Sequence, residues 1–469
     1  MATSGGGASK KPELPQAKEP ELPEFERGLE DLVKNVRLAR ARYLLDPNRE
    51  TKNEYCGTLG ELLEKHPFVS CRDDSSIPAS STHTFTAKGY GVAMWKWRKF
   101  LKSPEGRAYR RQGSGIDDAV YMASALLREF LPRGLHIIEV KNRETGEVTI
   151  ILFFGIRKFS GRTTSDEDEE SEATADSFFL GGRTERHVRR VFVTEKSNGE
   201  NAKLSMVRID GVLYLISGSK TTVSVWPAYL SYREVYPLAN GMSGREHSSD
   251  KIGRVYSKWY LGLTEERKAA LEKVFADQDY MMTIMAELNR SFAQHIVPIK
   301  KTHLALFAVL GPDGKSMDPR RAFDFFESLD VVESDTATVR HVSMREVAIS
   351  NLEELDLLVK KIRDRENSEG AVLYFYTEDG KLTEDGKLTE DGKLTEDSKL
   401  IGLVKVKTTW YTERRRVREL VRGHIMSPMM GGRCVGIPLI STRCADNGKP
   451  TPFTEIWDLA MKKIKGKCG

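Results

Sequence analysis

Apolar positions recur along this chain in two rhythms. A helical rhythm puts Leu29, Leu32, Val33 and Val36 on one side of residues 25–45, which predicts an amphipathic helix. Residues 117–130 read as another. Thr264 is a good N-cap, with Glu265 and Glu266 in the first turn behind it. Helices are also predicted over 318–329, over 351–365, where Asn351 precedes Glu354 by three residues, and over the basic stretch 412–423.

The second rhythm is that of strands. Residues 132–140 and 148–154 are apolar runs joined by a turn at 143–146. Residues 191–195 lead through Lys196-Ser-Asn-Gly199 into an alternating run, with Ala202, Leu204 and Met206 on one face and Lys203 and Ser205 on the other. Asp210-Gly211 is a hairpin signal before 212–217, and 223–226 follows. Further runs occupy 281–288, 291–299, 302–310, 370–376 and 401–407. Alternation in the last sets Lys405 and Lys407 on one face. The mixture predicts an α/β (α+β) fold.

Composition shifts divide the chain. Residues 1–24, rich in Gly, Ser, Pro and charge, read as a disordered tail. Residues 25–81 form an N-terminal helical extension, 82–420 the main domain, and 421–469 a short basic C-terminal tail. The domain carries two expected insertions. One, at about 163–178, holds the acidic run 166–172. The other, at 377–400, repeats Thr-Glu-Asp-Gly-Lys-Leu at 377, 383 and 389 and varies it once at 395. Each unit resembles a polar hairpin tip.

Charge and cysteines narrow the function classes. The net charge of +5 over 469 residues permits a polyanionic partner. The five cysteines (Cys56, Cys71, Cys434, Cys444, Cys468) form no Cys-x-x-Cys pair. A zinc site or disulfide framework is therefore not expected, and an intracellular compartment, cytoplasmic or nuclear, is. No apolar run reaches the ~18 residues of a membrane span. Trp95, Trp97 and Phe100 interleave with Lys96, Arg98, Lys99 and Lys102. That pattern suits either base stacking or a core helix with a solvated basic face.

Candidate chemistry begins at Lys196, a fixed amine between a strand end and a glycine corner. Lys-x-x-Gly occurs five times here, at 88, 158, 196, 399 and 463, and alone means little. Lys196 stands out by what surrounds it in order: Arg133-Gly134 upstream, then Ser219-Lys220, Glu287, Glu369-Gly370-x-Val372 and Lys405-x-Lys407. This order resembles that of the covalent nucleotidyltransferases, the nucleic-acid ligases and mRNA capping enzymes. Within them it is most similar to RNA ligases of the phage RNA ligase 1 type and the ligase domain of fungal tRNA ligases. Glu287-Leu-Asn-Arg-Ser-Phe-Ala-Gln-His-Ile-Val-Pro and the run after it resemble that group's third motif and sequel. Val404-Lys-Val-Lys-Thr-Thr-Trp-Tyr411 resembles its fifth. The likeness covers roughly residues 82–420.

The resemblance implies a nucleotidyltransferase (ATP-grasp-like ligase) fold, with antiparallel sheets flanking an ATP cleft. It implies that Lys196 attacks the α-phosphate of ATP to give lysyl-AMP and pyrophosphate. AMP then passes to an RNA 5′-phosphate, and a 3′-hydroxyl displaces it to seal the strand. In this reading Lys405 and Lys407 hold the α-phosphate. Glu369 ligates Mg²⁺ or Mn²⁺, Glu287 binds the ribose, Lys220 and Arg133 meet the outgoing phosphates, and Glu195 and Gly199 line the nucleotide. Crowding by Lys405, Lys407 and a metal favours the neutral form of Lys196. The partner is RNA with 5′-phosphate and 3′-hydroxyl ends, tRNA among the candidates, met by a monomer acting in RNA repair or tRNA splicing. The sequence departs from the pattern in reading Ser-Asn where many relatives have an acid before the glycine. For the aromatic motif between the third and fourth, Phe325 and Phe326 are candidates. The alternatives are a capping-type guanylyltransferase and a non-catalytic RNA-binding module.

Overall fold

The computed structural model describes residues 22–74, 80, 82–112, 117–162, 178–180, 183–236, 248–276, 281–291, 296–333, 337–377 and 400–426. Most of the expected N-terminal tail, the acidic run, nearly all of the hexapeptide repeats and the chain beyond 426 lie outside these residues. In chain order the elements begin with α1 (Glu30–Leu45), α2 (Arg49–Lys65), β1 (Val69–Asp74), β2 (His83–Val92), α3 (Met94–Phe100), α4 (Asp117–Ala123), α5 (Ala125–Phe130), β3 (Leu135–Asn142) and β4 (Val148–Phe153). Then come β5 (Ser160–Gly161), β6 (Arg190–Glu195), β7 (Glu200–Ile209), β8 (Val212–Gly218), β9 (Val223–Pro227), α6 (Tyr232–Val235), α7 (Ser248–Leu261) and α8 (Glu265–Phe275). The rest are β10 (Thr283–Asn289), β11 (His303–Leu310), α9 (Pro319–Ser328), β12 (Val339–His341), β13 (Met344–Ala348), α10 (Leu352–Arg363), β14 (Gly370–Tyr376), β15 (Leu400–Lys407) and α11 (Thr409–Met426).

The described residues form a mixed α/β fold with three sheets. Their strand orders are β1-β2-β3-β4, β12-β11-β10-β7-β8-β9 and β13-β6-β14-β15-β5. Among the described residues pairing is antiparallel, as expected, with short parallel pairs at two edges, β11 with β12 and β15 with β5. The Asp210-Gly211 turn has φ of 47° and 80°. Positive φ at both central residues suits a tight hairpin between twisted strands, and it joins β7 to β8 in register.

The four-stranded sheet is covered on both faces. Leu135 and Leu152 pack with Leu59, Leu62 and Leu63 of α2. Phe85, Ile138 and Phe153 face Val207, Tyr214 and Ile216 of β7 and β8. The other side of the six-stranded sheet meets α7, α8 and α9 through Ile252, Tyr256, Phe275 and Phe326. Burial of such a side chain contributes roughly 1.5–3 kcal/mol. Helix α10 lays Leu355, Leu358 and Ile362 on Val191, Leu373 and Val406 of the third sheet.

Several local readings change. Residues 117–130 form two helices, broken where Ser124 caps α5 by accepting a hydrogen bond from the Leu127 N–H (2.9 Å). Helix α7 lies in a stretch that shows little obvious rhythm, yet it buries Ile252, Tyr256 and Tyr260 on one stripe. Lys203 and Ser205, on the polar face of the alternation, are buried because β7 is covered on both sides. The Lys203 amine donates to the Gly134 carbonyl, lies 3.1 Å from His136 Nδ1 and sits 4.0 Å from the Phe153 ring centre. Burial drives its ammonium well below the ordinary lysine range. No helix among the described residues is long and apolar enough to cross a membrane.

Candidate active site

Strand β6 delivers Lys196 at its end. The Glu195 N–H donates to Ser343 O and the Lys196 N–H to Gly370 O, both at 3.0 Å. In the third sheet Ala371 stands opposite Glu195, Gly370 opposite Lys407, and Val372 opposite Lys405. Register alone therefore brings Lys196, Glu369 and Lys407 to one end of three adjacent strands, with Lys405 two residues inward. Gly370 has φ of 140°, and a methyl group there would lie 1.9 Å from Val406 O. Only glycine lets β14 start so close to β15.

The second sheet supplies the facing carboxylate. Glu287 on β10 stands opposite Asn201 on β7, and its Oε2 accepts from the Gly199 N–H at 2.7 Å. A side chain at 199 would meet Asn289 Oδ1 and Leu288 O at 2.8 Å. The link 196–199 is thus pinned to both sheets. Lys196 Nζ lies 2.7 Å from Glu369 Oε1 and 4.0 Å from Glu287 Oε1. Asn198, with its amide nitrogen toward Glu369 Oε2 (3.0 Å), accepts through its oxygen from the N–H groups of Ile296 and Val297 (3.2 and 3.1 Å). The Tyr411 hydroxyl, on the helix after β15, lies 3.3 Å from the Asn198 amide. Asn198 reads in the sequence only as a turn residue. Its neutral amide sits where an acid would face Glu369 with like charge.

These carboxylates set the charge of the lysine. Burial pulls the Lys196 ammonium down, but Glu369 and then Glu287 outweigh it and hold the amine above the ordinary lysine range. Lys196 is kept protonated while both carboxylates face it. Burial pushes the Glu287 carboxyl up to about 7, against the pull of Lys196 and with the charge of Glu369 adding to the rise.

A second cluster gathers the other predicted cations. Arg133 donates to both oxygens of Asp117 at 3.0 Å, and Lys220 Nζ reaches Asp117 Oδ2 at 3.2 Å. Gly134, with φ of 74°, brings its loop to 3.1 Å from the Lys220 backbone, measured from where a methyl group would sit. Lys158 pairs with Asp118 and is almost fully buried. Burial, then Arg133 and Lys405, lower its ammonium to about 8. Asp117 is raised by burial, yet Arg133, Lys220 and Lys158 hold it well below the usual carboxylate range. Asp117, Asp118 and Lys158 escape notice in the sequence because helical and loop positions give no reason to aim them inward. Lys405 stands within electrostatic reach of Lys158, on the side of this cluster.

The remaining candidates are placed differently. The Glu195 carboxylate lies 4.0 Å from the Arg340 guanidinium, away from the direct contacts of Lys196. Phe326 is fully buried beside the rings of Phe323 and Phe325, and Phe325 packs on Phe275, so the aromatic pair serves the core of the six-stranded sheet. Among the described residues no group of three or more His, Cys, Asp or Glu side chains is disposed to hold a metal ion. Glu369 is a single hard oxygen donor, which fits a divalent cation carried mainly by phosphate oxygens and water. Arg133 Nε is buried with no hydrogen-bond partner among the described residues, as suits a donor awaiting an anion.

No protein-family profile matches the chain, and no curated protein matches it. Among solved structures the chain is similar to a Naegleria gruberi RNA ligase. A ligand-free mutant of that enzyme aligns at 14% identity over 50% of this chain and 53% of that one, with a TM-score of 0.29. Its complex with pyrophosphate, and a mutant with ATP and manganese, align over the same shares at 14% identity and a TM-score of 0.28. The aligned part spans about half the length of those ligase chains.

Proposed function

We propose that this protein is an ATP-dependent RNA ligase that works through a covalent lysyl-AMP on Lys196. The observation that carries the reading is the seating of Lys196 Nζ, 2.7 Å from Glu369 and 4.0 Å from Glu287, where two sheets converge. A partly buried lysine in this position is a positioned nucleophile once it gives up a proton. Its phosphoramidate bond to the α-phosphate forms as pyrophosphate leaves. Lys407 and Lys405, aligned by the β14–β15 register, stand ready for the α-phosphate. Arg133 and Lys220, tied together by Asp117, would meet the departing phosphates, with Lys158 beside them. Glu287 is set to accept hydrogen bonds from ribose hydroxyls while keeping Gly199 in place, and Gly199 and Glu195 would border the nucleotide.

Phosphoryl transfer depends mainly on positioning and on neutralising developing charge. Mg²⁺ or Mn²⁺ at Glu369 would supply that neutralisation. Engagement of Glu369 elsewhere also removes the partner that keeps Lys196 protonated. The AMP group then goes to an RNA 5′-phosphate, and an RNA 3′-hydroxyl displaces AMP to form the phosphodiester. RNA repair or tRNA splicing would make such ends.

The test is incubation of the protein with α-labelled ATP or GTP and Mg²⁺, followed by denaturation and a search for label on the polypeptide. The expected result is label from ATP, absent in Lys196→Ala and released by 5′-phosphorylated RNA. Label from GTP alone would make this a capping-type guanylyltransferase. A folded protein with no label from either would be a non-catalytic RNA-binding module.

A further inference from the structure

Helix α3 turns one face to the core and one to solvent. Trp97 is fully buried and packs against Phe68 and Phe100, with ring centres 5.0 and 5.4 Å away. This decides half of the sequence ambiguity in favour of a core segment. The opposite face is unusual. Trp95 is 67% exposed, and Arg98, Lys99 and Lys102, three, four and seven residues on, are exposed as well. The spacing places the Trp95 indole, Arg98 and Lys99 on one face of α3, and Lys102 follows in the turn beyond its end. Residues 94–112 carry seven Lys or Arg against one Glu, a local bias that the whole chain does not share.

Trp95 is also supported from below. Lys96 donates to Val69 O at 2.9 Å and lies 5.8 Å from the Trp95 ring centre, tying this turn of the helix to the edge strand β1. Trp95 forms one wall of an open groove of about 910 Å³ that includes Ser70, Arg72, Asp73, Lys88 and Lys96. Glu64 at this groove is already paired with Lys88 at 2.8 Å.

We infer that the exposed face of α3 is a docking surface for single-stranded RNA, with a base stacked on Trp95 and the backbone phosphates tracked by Arg98, Lys99 and Lys102. None of these residues belongs to the Lys196 cleft. The inference names where the RNA substrate of the proposed ligation would be held, and it rests on that reading only for its biological purpose. Stacking on an exposed aromatic is tolerant of base identity, and the cations add salt-sensitive attraction. Sequence-tolerant capture is what a ligase acting on varied ends requires.

The test measures binding of a fluorescent, 5′-phosphorylated, mixed-sequence single-stranded RNA to the full chain across a salt series. Trp95→Ala should weaken binding about ten-fold, with Trp95→Phe restoring most of it. Replacing Arg98, Lys99 and Lys102 together by Gln should flatten the dependence of log affinity on log salt by roughly two. All four positions face solvent, so the melting temperature serves as the folding control. Irradiation should cross-link RNA to the peptide holding Trp95. Unchanged affinity in Trp95→Ala together with an unchanged salt slope in the triple variant would overturn the surface, even if ATP labels Lys196. Conversely, a chain that ATP does not label but that binds RNA through Trp95 removes the ligase reading and keeps the surface.

Discussion

Glu287 Oε2 holds the Gly199 backbone N–H at 2.7 Å, and the same carboxylate lies 4.0 Å from the Lys196 amine through its other oxygen. One side chain from the six-stranded sheet thus fixes the loop and faces a lysine delivered by another sheet. Glu287→Ala should cut ATP-dependent labelling at least ten-fold, whereas Glu287→Gln, which can still accept from Gly199, should retain part of it. Quantified label per molecule at saturating ATP checks both.

The same carboxyl gives a pH signature. Its folded value is raised from 4.5 to about 7, chiefly by burial. Between those two values the folded protein keeps a proton that the unfolded chain has released, so stability falls as pH rises through the window. The melting temperature of the parent, relative to that of Glu287→Gln, should therefore drop between pH 4.5 and about 7 and level off above. A flat difference across that range would contradict the assignment.

Lys203 works in the opposite sense. Burial holds its folded ammonium well below the ordinary 10.5, so the unfolded chain binds a proton that the folded one does not, and stability rises with pH toward 10.5. Lys203→Met should fold, because His136 Nδ1 still lies 2.9 Å from the Gly134 carbonyl. It should lose the alkaline rise in melting temperature. A rise that survives the substitution would place its cause elsewhere.

Asp117 shares its carboxylate between two cations. Arg133 donates to both Asp117 oxygens at 3.0 Å from one nitrogen, Nη2, and its other guanidinium N–H groups are donors that a lysine lacks. Arg133→Lys should raise the ATP concentration for half-maximal labelling about ten-fold. Asp117→Asn should do likewise by freeing both Arg133 and Lys220 from their shared partner. Titration of labelling against ATP separates this loss from a loss at Lys196, which no ATP concentration restores.

Gly370→Ala tests the register itself. A methyl group 1.9 Å from Val406 O cannot be accommodated by side-chain movement, since the obstacle is backbone. The substitution should cost about 3 kcal/mol or more, read by chemical denaturation, and should abolish labelling by parting Glu369 from Lys196.

Much of this was legible in the sequence where a local rule and its structural outcome coincide. Asp210-Gly211 makes its hairpin, Asn351 and Thr264 cap their helices, and the strands bearing Lys196, Glu369, Lys405 and Lys407 lie close to where the apolar runs put them. Lys203 and Ser205 misled because alternation reports two faces but not whether a second layer covers the polar one. Asp117, Asp118 and Lys158 stayed hidden because their role comes from three segments meeting in space. Phe325 and Phe326 fitted an aromatic motif by composition, and packing assigned them to the core. The protonation of Lys196 could not be anticipated, since it follows from a 2.7 Å distance to Glu369 that no spacing in the chain encodes.

The β14–β15 hairpin has Glu369 and Lys407 at one end and the Tyr376–Leu400 pair at the other. The tandem Thr-Glu-Asp-Gly-Lys-Leu units follow Tyr376 and run to Leu400, so they join the ladder at the end farthest from Glu369 and Lys407. In-frame gain or loss of one unit should therefore change the length of the chain and leave the pairing from Gly370 to Lys407 as it is.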